Sequence, residues 1–86
     1  MAEIEWAEKA VRDLEKLDRQ VAHRIVGKIR WLANNFEEII LEPLGGEFKG
    51  LYKLRIGDWR AIYTIENNTI TVQFIGHRRD IYKKQS

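Results

Sequence analysis

Gly50-Leu51-Tyr52-Lys53-Leu54-Arg55-Ile56-Gly57-Asp58-Trp59-Arg60-Ala61-Ile62-Tyr63 decides the fold, because side chains alternate in character on both sides of Gly57-Asp58. Read as a Gly-first two-residue turn, that pair sets Ile56 opposite Trp59, Arg55 opposite Arg60, Leu54 opposite Ala61 and Lys53 opposite Ile62. Lys53, Arg55 and Arg60 then share one face of a hairpin. Tyr52, Leu54, Ile56, Trp59, Ala61 and Tyr63 share the other, which is the core side. Like charges directly opposite each other destabilise a strand pair by a few tenths of a kcal/mol up to about 1. Arg55 beside Arg60 therefore answers a demand other than folding, and three cations on one face suit a polyanion.

Downstream, residues 69–76 alternate again after Asn67-Asn68, a pair that tolerates positive φ, so three antiparallel strands are expected over 48–56, 59–66 and 69–76. Carrying the register through that turn pairs Ile65 with Ile70, Tyr63 with Val72, Ala61 with Phe74 and Ile62 with Gln73. Phe74 is thus expected in the core and Gln73 on the cationic face. Upstream, residues 37–47 hold the sole proline, Pro43, and read as a loop with one helical turn. Before them, Val21, Ala22, Ile25, Ile29, Leu32, Ala33 and Phe36 keep a helical period, with Asp18 as N-cap and Asn34-Asn35 at the fraying end. Trp31, off that stripe, reads as edge packing. Ala10, Val11, Leu14 and Leu17 mark a shorter helix, and Ala2 to Trp6 a strand. The expected fold is α+β: an N-terminal strand, then a two-helix hairpin packed on a mostly antiparallel sheet of about four strands (βααβββ), with a short basic C-terminal tail.

The 86 residues make a single domain, 1–86, that removes roughly 60 to 65 per cent of its unfolded surface from water. With no cysteine there is no disulfide framework and no thiolate metal site. His23 and His77 are too far apart in the pattern to suggest a metal, and no cofactor is expected. The start Met-Ala-Glu-Ile-Glu is not a secretory signal, and no run approaches the ~20 apolar residues of a membrane span, so a cytoplasmic protein without a membrane partner is expected. The formal charge of +2 hides an asymmetry. Residues 1–48 carry seven Lys/Arg against ten Asp/Glu, and residues 49–86 carry eight against three, so the anion-attracting field is assigned to the C-terminal half.

The run from Gly50 to Tyr63, with Arg-Ile-Gly-Asp-Trp-Arg at its centre, and the ending Gly76-His77-Arg78-Arg79-Asp80-Ile81-Tyr82 resemble the RelE/ParE superfamily of toxin-antitoxin toxins. Trp6, Asp13-Leu14, Lys16-Leu17-Asp18 and Pro43-Leu44 extend the resemblance over almost the whole chain. It implies the toxin of a type II toxin-antitoxin system, a ribosome-dependent endoribonuclease that cuts messenger RNA in the ribosomal A site. The implied partners are the ribosome, the message and a cognate antitoxin that wraps the toxin in a heterotetrameric or larger complex.

Metal-independent RNA cleavage needs a ribose 2′-OH to lose its proton and attack the adjacent phosphorus in line, while the leaving 5′-oxygen gains a proton. By resemblance Lys53 matches the cationic base, and crowding by Arg55 and Arg60 favours its giving up a proton. Arg55 stands where the best-known members carry a second lysine, and binds phosphate. Arg60 matches the arginine that stabilises the phosphorane, with its fork of donors. Arg78 matches a residue near the leaving oxygen, where charge stabilisation suits a guanidinium better than proton donation. Tyr82 matches the C-terminal tyrosine that stacks on a base. His77 is a natural acid or base, and strict alternation puts it on the cationic face. Lys49, Gln73, Arg79, Lys83 and Lys84 are assigned to RNA binding. Two alternatives stand beside this reading: a ParE-like DNA gyrase inhibitor of the same fold, and a catalytically silent module that binds RNA or antitoxin.

Overall fold

The computed structural model describes residues 1–82. The chain runs β1 (Glu3–Trp6), α1 (Glu8–Glu15), α2 (Arg19–Asn34), β2 (Glu42–Pro43), β3 (Tyr52–Ile56), β4 (Trp59–Glu66) and β5 (Thr69–His77), with 3₁₀ turns at Phe36–Glu38 and Gly46–Phe48. One sheet has the order β1-β5-β4-β3-β2. The expected α+β architecture is therefore present with five strands. The fifth is the two-residue β2, inside the stretch read as loop, and the first strand starts at Glu3, one residue later than the expected Ala2. Residues 48–51, expected to extend β3, instead form the end of a 3₁₀ turn and a connection.

Turn chemistry sets the hairpins. Gly57 alone has positive φ in the first turn (+58°), whereas Asn67 and Asn68 are both positive in the second (50° and 64°). The first hairpin keeps the expected register, Ile56 opposite Trp59 and Arg55 opposite Arg60. The second keeps it from Glu66–Thr69 as far as Tyr63–Val72, then slips by one residue: Ile62 meets Phe74 and Ala61 meets Ile75. Gln73 is the extra residue of a β-bulge, so every later side chain of β5 changes face. Ile75, not Phe74, fills the position under the helices, and Phe74 joins Ile62 and Ile81 on the opposite side.

Two helices cover one face of the sheet. Asp18 caps α2 by accepting from the Gln20 N–H at 3.1 Å, and α1 is supported by the i,i+4 pairs Lys9–Asp13 and Glu8–Arg12. Ile25, Ile29 and Ala10 pack on Ile56, Ala61, Val72 and Ile75, while Leu32 and Ala33 pack on Tyr63 and Ile70. Burying one such aliphatic side chain contributes roughly 1.5–3 kcal/mol. Parallel pairing of β1 with β5 fixes the start of the chain, and the Asp13 carboxylate accepts from the Ile75 N–H at 2.9 Å where β1 has run out. At Gly76 a Cβ would lie 2.7 Å from Ile81 Cδ1, so a side chain here would push the tip of Ile81 aside where the C-terminal turn packs on the sheet. Among the described residues no helix is long and apolar enough to cross a membrane.

Candidate active site

The sheet face away from the helices carries two things, a small apolar cluster and the cations. Ile62, Phe74 and Ile81 form the cluster with Leu44, Leu51 and Tyr82 around them. Lys53 is the cross-strand partner of Ile62, and Arg55 that of Arg60, so all three cations stand on this face as the alternation required. Arg78 follows β5 and is fastened to the β3–β4 turn: its N–H donates to the Asp58 carbonyl at 2.8 Å and its Nε lies 3.4 Å from Asp58 Oδ1. The hairpin and the end of β5 thus bring Lys53, Arg55, Arg60 and Arg78 to one end of one face.

Each guanidinium is held by an acceptor of the chain itself. Arg60 is half-buried and donates from Nη1 to the carbonyls of Gly57 and Trp59, both at 2.8 Å. Arg55 Nη2 lies 3.2 Å from Glu42 Oε2, a contact made possible by β2, which sets Glu42 opposite Lys53. Like-charge repulsion between Arg55 and Arg60 is relieved in this way, and both forks are oriented before a ligand arrives. Exposed ion pairs of this kind stabilise weakly, by about 0–1 kcal/mol, so a phosphate can take the place of either carboxylate. Sequence reading missed Glu42 and Asp58. Asp58 was legible as a neighbour within Arg-Ile-Gly-Asp-Trp-Arg, whereas Glu42 carried no signal until β2 was known.

Tyr82 is half-buried and lies 5.8 Å, centroid to centroid, from Phe48 at a tilt of 56°. It borders the cationic face with one side on the apolar cluster. His77 is a correction to the reading from alternation. The bulge at Gln73 reverses its face, so it pairs with Trp59 and packs edge-on against that ring at 5.4 Å on the helix side. There it lines a cavity of about 250 Å³ with Lys9, Asp13, Lys16 and Asp80. Its Nδ1 accepts from the Arg79 N–H at 3.2 Å. Gln73 is not paired with Ile62, but its amide donates to the Thr64 hydroxyl at 3.0 Å, separated from Arg60 by the Ile62–Phe74 rung. Lys49 and Arg79 are exposed, and Lys83 and Lys84 lie outside the described residues.

An open α+β sheet of five strands with a helical hairpin on one face is the fold of the RelE/ParE toxins. The chain belongs to the family described as ParE toxin of type II toxin-antitoxin system, parDE, whose model matches residues 4–82. Among solved structures it is similar to the RelBE2 toxin-antitoxin complex from Mycobacterium tuberculosis, with 25% identity, a TM-score of 0.80 and coverage of 90% of this chain and 98% of that one. The RelB-RelE complex from Methanococcus jannaschii has 23% identity and a TM-score of 0.71 over 95% of this chain and 99% of that one. The isolated RelE toxin of E. coli has 16% identity and a TM-score of 0.73 over 99% and 95%. No curated protein sequence matches the chain.

Proposed function

We propose that this toxin is a ribosome-dependent endoribonuclease that cuts messenger RNA in the A site without a metal. The observation that carries the reading is the meeting of Lys53, Arg55, Arg60 and Arg78 at one end of the sheet, with Tyr82 at the border. Lys53, acting as the neutral amine, takes the proton of a ribose 2′-OH, whose oxygen then bonds to the adjacent phosphorus. Arg60 and Arg55 hold the non-bridging oxygens as negative charge builds. The phosphorus–5′-oxygen bond breaks, Arg78 stabilises the departing oxygen, and a proton from solvent completes it. The products are a 2′,3′-cyclic phosphate and a new 5′-hydroxyl end. Tyr82 stacks on a base of the message. His77, on the helix side, takes no part in this step. Complexes of toxin and antitoxin among the structural relatives support a cognate antitoxin for this chain too; acidic segments in it would complement Arg55, Arg60 and Arg78.

The test is primer extension on a message translated in a cell-free system with the purified protein, beside an Arg60→Ala, Arg78→Ala double variant. Cuts within A-site codons that fall at least 100-fold in the variant are expected, since one lost charge stabiliser costs on the order of 10²–10³ in rate. An intact message would sink the reading. A second reading, a ParE-like inhibitor of DNA gyrase, is favoured by the family model itself. Under it, Lys53→Ala leaves growth inhibition intact.

A further inference from the structure

Helix α2 carries Arg19, Arg24, Lys28 and Arg30 and no acidic residue. The three arginines are exposed, and the Lys28 ammonium sits 3.7 Å from the centre of the Trp31 ring. Among the described residues the ion pairs use none of the four. Helix α1 is built the other way, with both Lys9 and Arg12 paired to carboxylates one turn away. Unpaired like charges along a helix repel, so folding does not call for this pattern.

The geometry suits a phosphate backbone. A rise of about 1.5 Å per residue spaces Arg19 from His23, and Arg24 from Lys28, by about 6 Å along the axis, close to the separation of successive phosphates on one strand. Between the two rows is Gly27, with nothing within 4 Å of where its Cβ would lie. It floors a shallow trough of about 350 Å³ lined by Ala22, His23, Val26 and Arg30. Glycine is a poor residue for a helix interior, and here it lets another backbone come close. Trp31, 43% exposed, offers a ring for a base to stack against, and it borders one groove with Ile39, Ile40 and Leu41. The inner row leads to the cationic site: Arg24 Nη1 lies 3.5 Å from the Cβ position of Gly57, and Lys28 lines one groove with Lys53 and Arg55.

We propose that the outer face of α2 is a second nucleic-acid surface, which grips the phosphates of structured ribosomal RNA while the sheet face engages the message. The proposal rests on the ribosome-directed reading above. Its test is equilibrium binding of the full-length protein to purified 70S ribosomes at several salt concentrations, with an Arg19→Gln, Arg24→Gln, Arg30→Gln variant alongside. Glutamine is nearly as good a helix former as arginine, and thermal unfolding followed by circular dichroism verifies that the variant folds. The variant is expected to bind ribosomes at least 10-fold more weakly at physiological salt, with a salt slope lower by about 3, one for each phosphate contact. Affinity for a short single-stranded RNA, made uncleavable by a 2′-deoxy sugar at the cut site, should stay within about twofold. Equal ribosome affinity for parent and variant overturns this inference alone. An equal loss on the short RNA also overturns it, because α2 would then act only through the general field. Failure of the parent to bind ribosomes at all overturns both this inference and the reading it rests on.

Discussion

Tyr63 shows what a single polar atom does in this core. The residue is 1% exposed and its ring stacks on Tyr52 at 5.7 Å. Burial pushes the phenol up to about 12, with Tyr52 and Glu42 adding to the effect. The folded chain therefore favours the neutral phenol more than the unfolded chain, whose tyrosine titrates near ~10. That contribution is complete below pH ~10 and fades as pH rises from ~10 to ~12, a loss of about 2 to 3 kcal/mol. Urea unfolding of the parent and of Tyr63→Phe across this range checks it: the gap between them should narrow or reverse as alkali is added, and a constant gap would count against a buried neutral phenol. Among the site residues, Lys53, Arg55 and Arg60 were legible because a strand has a period of two and the turn was unmistakable. What their side chains hold was not, since Glu42 reaches Arg55 only through a strand of two residues that no propensity announces.

At the scale of elements, one inserted residue separates a correct reading from a wrong one. The second hairpin follows its expected register from the turn to Tyr63–Val72, and the bulge at Gln73 then moves Phe74 out of the main core and His77 off the cationic face. A period of two carries no mark of such an insertion, because Phe74 and Ile75 are both apolar and either can serve inside. The slip has a mechanical companion in Asp13. Its side chain is 12% exposed, and it joins α1 to β5 by accepting from the Ile75 N–H while Lys9 neutralises it at 2.8 Å. Asp13→Ala leaves that N–H without an acceptor and should cost about 1–3 kcal/mol in urea unfolding. Asp13→Asn keeps an accepting oxygen and should cost less. Equal losses in the two variants would mean that the lost ion pair with Lys9, rather than the bond to β5, sets the effect.

Over the whole molecule, dividing the charge between halves of the chain found the cations of the sheet face but not those of α2. The first half is net acidic, yet α2 within it is wholly cationic, because the carboxylates sit before Arg19 and after Asn34. Helix and sheet order were readable from periods and caps, but the partner of β1 was not, since nothing local tells a first strand that it will lie parallel beside the last. That pairing joins Glu3 to Thr69 and Trp6 to Val72. Because the ribosome delivers the chain from its N-terminus, β1 and α1, which pack on β5, must wait for it before the core can close. Nascent chains stalled before Thr69 should be digested readily by protease, whereas chains released with β5 outside the exit tunnel should resist. The cationic end of the sheet is completed in the same step, since Arg78 reaches the β3–β4 turn only when β5 is in place.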